Sequence, residues 1–219
     1  MSVGALLLPG LDGGRTLLHP FARALSPNAE VLPYPDEPLG YDDLEQLVRT
    51  RLAQTSATVL IAESFSGPLA IRIAATPPPS LTHVVLVATF ARAPMSPRIA
   101  PLLSLAFAAP PPKALIRALM VGPDASNELV AHVQAAIRQT APRTLRARAK
   151  EALRVDVRKA MNAIRIPALY LQPTQDRLLR PLPLPAGKNW SHVAIPAPHL
   201  LLQTRPEACA AAILRFANV

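Results

Sequence analysis

Short apolar runs alternating with amphipathic stretches predict an α/β fold: a mostly parallel sheet of about six strands, helices on both faces, and a small helical cap inserted in the middle of the chain. The runs are often β-branched and apolar throughout, as in strands buried on both faces. Segments of helical period stand between them, and a βαβα order requires crossovers and hence parallel pairing. The alternation then lapses over residues 92–163, which carry helical patterning and no convincing strand.

In chain order the strands are expected at Ala5–Leu8, Glu30–Leu32, Thr58–Ala62, Val84–Ala88, Ala168–Leu171 and Val193–Ile195. Helices are expected at Thr16–Leu25, Tyr41–Gln54, Ser64–Ala75 and Pro206–Phe216. The last would bury Ala208, Ala211, Ala212, Leu214 and Phe216. Residues 1–91 and 164–219 thus form the core, and 92–163 form the cap. The first half of the cap is apolar and broken by Pro110-Pro111-Pro112; its second half, Glu128–Ala163, is helical and rich in arginine. Inserted after a strand, it would lie over the sheet edge where open α/β sheets bind ligands.

Composition narrows the class. A chain of 219 residues is one domain with an insertion, long enough for a core without staples. Half the residues are hydrophobic and 17% are charged, which excludes a disordered chain and a charged coiled coil. Prolines number 26 against 8 glycines, so many turns are set by proline. Cys209 is the sole cysteine, leaving no intramolecular disulfide and no thiolate metal site. The N-terminus has no basic region before its apolar stretch, and Ile99–Pro112 is too short and proline-broken to span a bilayer. A cytoplasmic location without a membrane span is expected.

Ser64 stands where the third strand meets the following helix, in Ala62-Glu63-Ser64-Phe65-Ser66-Gly67. A nucleophile elbow holds its serine in a strained turn and needs small residues two before and two after it, a demand that Ala62 and Ser66 meet. The plainer role is a helix N-cap. The first strand runs into Pro9-Gly10-Leu11-Asp12-Gly13-Gly14, a loop tight enough to expose backbone N–H groups. Its Leu11 N–H and the Phe65 N–H are a natural pair of donors to an oxyanion. A phosphate loop is the alternative, but the glycine spacing fits neither common nucleotide motif.

Asp176 follows the fifth strand and His199 follows the sixth, giving the chain order Ser, Asp, His. A parallel sheet carries all three strand ends to one edge, where His199 can take the Ser64 proton while Asp176 orients the ring. Alone, Asp176 is a turn residue beside Arg177 and His199 a loop histidine; the joint order favours catalysis. Of the other histidines, His83 and His192 lie near strand starts, His132 lies in the insertion, and His19 is close enough to the glycine loop to line a pocket. Glu63 abuts the serine, but its side chain should point the other way.

Leu8-Pro9-Gly10-Leu11-Asp12-Gly13, the Ser64 segment, Asp176-Arg177-Leu178 and Pro198-His199 together resemble the α/β-hydrolase family of serine esterases. The resemblance covers nearly the whole chain, and the elbow is of a small-x-Ser-x-small variety. It implies a reduced α/β-hydrolase core, a cap between the family's sixth and seventh strands, hydrolysis through an acyl-enzyme, and no cofactor or metal. The stretch before Ile166-Pro167, with Val155-Asp156-Val157-Arg158, looks like the cap-to-core return of small bacterial carboxylesterases. A small-molecule ester substrate is expected, in an apolar pocket lined by Gly10, Leu11, His19, Phe65, Phe90, Leu102, Leu103, Phe107 and Leu200.

Net charge is +9, and much of it lies between Arg138 and Lys159, where eight cations face Glu151 and Asp156. A solvated helical face accounts for such a run. Docking of an acidic acyl carrier protein, as in pimeloyl-carrier methyl esterases, is the sharper expectation, with a carrier-linked ester or thioester as substrate. Nucleic acid is not expected, since the 9 aromatics are not interleaved with basic residues. A hydrolase-fold protein that binds a ligand without turnover is the non-enzymatic alternative.

Overall fold

The computed structural model describes residues 4–56, 58–95 and 111–217. Its strands are β1 (Gly4–Leu8), β2 (Ala29–Val31), β3 (Thr58–Glu63), β4 (Leu81–Val87), β5 (Ala168–Pro173) and β6 (Trp190–Ile195). They pair in parallel throughout, in the order β2-β1-β3-β4-β5-β6. The helices are α1 (His19–Leu25), α2 (Tyr41–Leu52), α3 (Gly67–Ala75), α4 (Lys113–Ile116), α5 (Asn127–Arg138), α6 (Pro142–Ala152), α7 (Arg158–Ala163), α8 (Leu201–Thr204) and α9 (Pro206–Phe216).

Both faces of the sheet are dry, which explains the unbroken apolar runs. Leu6 and Leu8 of β1, Leu60 of β3 and Leu86 of β4 pack with Leu44 and Val48 of α2, Leu69 of α3 and Met161 of α7. Their alternates Leu7, Ile61, Val85 and Val87 pack on the other face with Phe21 of α1 and with Cys209 and Ile213 of α9.

Four of the differences from expectation have a clear physical reason. β6 starts at Trp190 rather than Val193, because an edge strand with one partner leaves Ser191 and His192 exposed and shows no apolar run. β4 spans Leu81–Val87 and excludes Ala88, which leaves the strand at φ +47°. α1 starts at His19 rather than Thr16: the carbonyl of Arg15 first accepts the N–H groups of Leu18 and His19 in a turn, and Pro20 then opens the helix. α9 buries Cys209 and Ile213 and packs Ala212, Leu214 and Phe216 against the core as expected, while Ala208 and Ala211 are exposed. Four-residue spacing of the larger side chains, not the alanine count, sets its inward face.

Between β4 and β5 the chain leaves and returns by the same door. Ala93 N–H donates to Val155 O at 2.8 Å and Val157 N–H donates to Ala91 O at 2.8 Å, an antiparallel clasp around the Arg92–Asp156 bridge. Within the segment, α4 runs on into a wider turn, Arg117–Val121, that ends at Gly122 with φ +82°. α5 is capped by Ser126, whose Oγ accepts the Leu129 N–H at 3.0 Å. Ile116, Val121, Val130 and Val133 form a third apolar cluster with Leu17 and Leu200, fastening these helices to the sheet's C-terminal edge. Among the described residues no helix is long and apolar enough to cross a membrane.

Where β3 turns into α3, a methyl group at Gly67 would overlap the Thr89 side chain. Gly67→Ala is therefore expected to lose ~1–3 kcal/mol through overpacking. The urea midpoint would record it; a wild-type midpoint would mean that the turn relaxes at no cost.

Candidate active site

Ser64 directly follows β3 and adopts φ +51°, in the left-handed region that costs a non-glycine residue ~1–3 kcal/mol. The neighbouring groups hold it there. The Ser64 carbonyl accepts from Thr89 Oγ1 at 2.5 Å, and the Phe65 carbonyl accepts from Tyr41 Oη at 2.8 Å. Phe65 stacks on Tyr41 with ring centres 4.9 Å apart, so its side chain is a wedge in the core, not pocket lining as expected. Ser66 is more than small: its Oγ donates to the Pro9 carbonyl, which leaves Tyr34 to donate to Ser66 Oγ at 2.5 Å. The elbow and the glycine loop are thereby joined.

His199 arrives from the end of β6 and Asp176 from the end of β5. Their side chains are 5% and 6% exposed, and His199 Nδ1 lies 2.8 Å from Asp176 Oδ2. Nε2 of the same ring lies 2.9 Å from Ser64 Oγ. A carboxylate only accepts, so Nδ1 carries the proton and the Nε2 lone pair faces the hydroxyl. Asp176 Oδ1 in turn accepts the N–H groups of Leu178 at 2.7 Å and Leu179 at 3.0 Å, which fixes the carboxylate plane. The loop bearing the histidine is held by the inserted segment, since Leu200 N–H donates to Met120 O at 2.9 Å.

In the glycine loop, Gly13 N–H donates to Gly10 O at 3.0 Å and Gly14 N–H to Asp12 Oδ2 at 3.1 Å. Leu11 N–H donates to no backbone group among the described residues. Phe65 N–H belongs to a first turn, where such groups lack an intrahelical acceptor. Burial pushes the Asp12 carboxyl above its ordinary range, against the pull of the Gly14 N–H and of Arg148. Arg148, on α6, is wholly buried against this loop.

A cavity of about 320 Å³ opens above Ser64 and His199. Gly10, Leu11 and Leu200 line it as expected, with Leu17, Ile116, Leu119, Met120, Ile137 and Leu145 supplying apolar walls. His19 is exposed at the start of α1 and does not line it, because the turn before α1 rotates it outward. Phe90 lines a separate cavity with Met161 and Leu182. Leu102, Leu103 and Phe107 lie outside the described residues. His83 packs on Phe216, His192 stacks on Tyr170, and His132 is exposed on α5. Among the described residues no group of three or more His, Cys, Asp or Glu is placed to hold a metal ion.

The basic run Arg138–Lys159 is less of a surface than its composition implies: Arg148 points inward, and Arg158 pairs with Asp156 at 2.5 Å. Glu63 is the other charge that the sequence places badly. It is buried beside the cavity that Ser64 and His199 line, where Oε2 accepts from Gln203 Nε2 at 3.2 Å and Oε1 has no partner among the described residues. Burial raises its pKa to about 7. A folded-state pKa above the unfolded one stabilises the fold below the unfolded value, and that stabilisation is lost as pH rises through about 7. Glu63→Gln should therefore gain ~3 kcal/mol relative to wild type above pH 8 and nothing below about pH 4. Thermal melts across that range test this; a gap that does not depend on pH would refute it.

A model of the alpha/beta hydrolase family matches residues 5–212. No curated protein matches the chain by sequence comparison. Among solved structures, the enol-lactonase from Burkholderia xenovorans LB400 superposes with a TM-score of 0.82 at 18% identity, covering 100% of this chain and 93% of its own. The esterase EaEST from Exiguobacterium antarcticum gives a TM-score of 0.85 at 9% identity, covering 100% and 92%. A thermophilic esterase from Thermogutta terrifontis gives 0.78 at 21% identity, covering 100% and 90%. With that match over almost its whole length, the chain belongs to the alpha/beta hydrolase family.

Proposed function

We propose that the protein is a serine carboxylic ester hydrolase for apolar acyl esters, with Ser64 as nucleophile, His199 as base and acid, and Asp176 as the residue that orients His199. The observation that carries this reading is the relay Ser64 Oγ to His199 Nε2 at 2.9 Å and His199 Nδ1 to Asp176 Oδ2 at 2.8 Å, opening into an apolar cavity. An enol-lactonase and esterases among the structural neighbours agree with it.

As Ser64 Oγ attacks the ester carbonyl carbon, its proton passes to His199 Nε2 and the carbonyl oxygen becomes an oxyanion. The N–H groups of Leu11 and Phe65 receive that oxyanion, and Asp176 stabilises the imidazolium. Collapse breaks the bond to the leaving alkoxide, which takes the proton from Nε2. Water, deprotonated by the same nitrogen, then attacks the acyl-enzyme and releases the acid, restoring Ser64. Residues 92–163 act as a cap over a core of 1–91 and 164–219, and the cavity walls from α4 to α6 set acyl length.

Hydrolysis of p-nitrophenyl esters from acetate to laurate tests the reading. Ser64→Ala should lose at least about a thousandfold in kcat, and Asp176→Asn about ten-thousandfold through the wrong histidine tautomer. Equal turnover by wild type and Ser64→Ala would sink it. Ile116 and Leu119 wall the cavity, so Ile116→Trp and Leu119→Trp should move the optimum to shorter chains. An unmoved optimum in both would place the acyl group elsewhere.

A further inference from the structure

Arg148 is 0% exposed, yet it makes no salt bridge among the described residues. Its guanidinium is committed to loop carbonyls instead. Nη1 donates to Leu11 O at 3.1 Å and Asp12 O at 2.8 Å, and Nη2 donates to Pro35 O at 2.8 Å. Thr140, just before α6, adds a bond to the same Asp12 carbonyl at 2.7 Å. The guanidinium also packs against Gly13, at φ +70°, so tightly that a methyl group there would overlap it.

These contacts bear on one N–H group. Gly10 C=O and Leu11 N–H share a planar trans peptide, so a bond that holds the carbonyl aims the N–H the opposite way. Gly13 N–H supplies that bond, at 3.0 Å. The turn from Gly10 to Gly13 keeps its shape only while Gly13 stays left-handed and the Leu11 and Asp12 carbonyls point outward. Arg148 enforces both conditions.

We infer that Arg148 is a positioning residue for the Leu11 N–H, so that a helix of the insertion, and not the sheet alone, sets the geometry of the oxyanion site. The inference rests on the serine hydrolase reading. It assigns Arg148 no contact with substrate: ground-state binding should survive its removal, while stabilisation of the transition state should not.

Wild type, Arg148→Met, Arg148→Lys and, as a control on the exposed side of α6, Arg146→Met are compared with p-nitrophenyl butyrate. Arg148→Met should lose about ten- to a hundredfold in kcat with KM within about twofold, the size expected for a donor misplaced by an ångström or less. Inhibition by an alkyl trifluoromethyl ketone, which forms an oxyanion on the serine, should weaken by the same factor. Arg146→Met should match wild type. If Arg148→Met does not fold, Arg148→Lys carries the test, since one ammonium cannot span three carbonyls: a loss of about tenfold in kcat is expected, with unchanged circular dichroism. Wild-type kcat in a folded Arg148 variant, or a raised KM at constant kcat, would overturn the inference while leaving the hydrolase reading intact. Lack of turnover and of ketone binding in the wild type would overturn both.

Discussion

A serine held at φ +51° is the constraint on which the site depends. An isolated chain would relax such a residue within the left-handed penalty of ~1–3 kcal/mol, so the surroundings must over-determine it. They do so by leaving neither carbonyl of the turn free: Thr89 takes that of Ser64 and Tyr41 that of Phe65. Gly67 then lets α3 approach Thr89 more closely than any Cβ would permit. The strain is held by ordinary packing and hydrogen bonds on the far side of the serine, and Oγ is left free to meet the histidine at 2.9 Å.

From that turn the order propagates outward through backbone carbonyls. Ser66 fixes Pro9, Tyr34 fixes Ser66, and Arg148 lies 5.6 Å over the Tyr34 ring while it binds Leu11, Asp12 and Pro35. A guanidinium withdrawn from water is costly unless its donors are met, and a buried loop is costly unless its carbonyls are met. The loop carbonyls answer the needs of Nη1 and Nη2, while Nε keeps no partner among the described residues. Arg148 of α6 and Thr140 before it thus tie their segment to the glycine loop at the sheet edge.

The sheet and the polar relay were legible in the sequence because they follow from periodicity and from topology. Apolar runs such as Val59–Ala62 and Val84–Val87 mark strands buried on both faces, and parallel pairing brings Ser64, Asp176 and His199 to one edge whatever their spacing in the chain. The edge strand β6 was blurred because half-exposed residues carry no apolar signal. His19 and Phe90 were misplaced for a different reason: proximity in sequence to a loop does not fix where a turn aims a side chain. Arg148 was hidden among seven exposed cations, and charge alone cannot separate a buried guanidinium from a solvated one. Two signals stood nearby, Gly13 and the carbonyl-rich loops, but only three-dimensional contact joins them.

Two carboxyls stand near the serine and the histidine, and their surroundings differ. Asp176 is met by three donors, the imidazole on one oxygen and the N–H groups of Leu178 and Leu179 on the other. Glu63 has Gln203 on one oxygen and, among the described residues, nothing on the other, in a site dry enough to raise its pKa to about 7. At a pKa of about 7 Glu63 is about half protonated at neutral pH, whereas the Nδ1 hydrogen bond of His199 goes to Asp176, so that Nδ1 holds the proton and Nε2 faces the serine. The packing around the elbow thus holds the strained turn and also seats, beside the relay, a carboxyl whose charge changes near neutral pH.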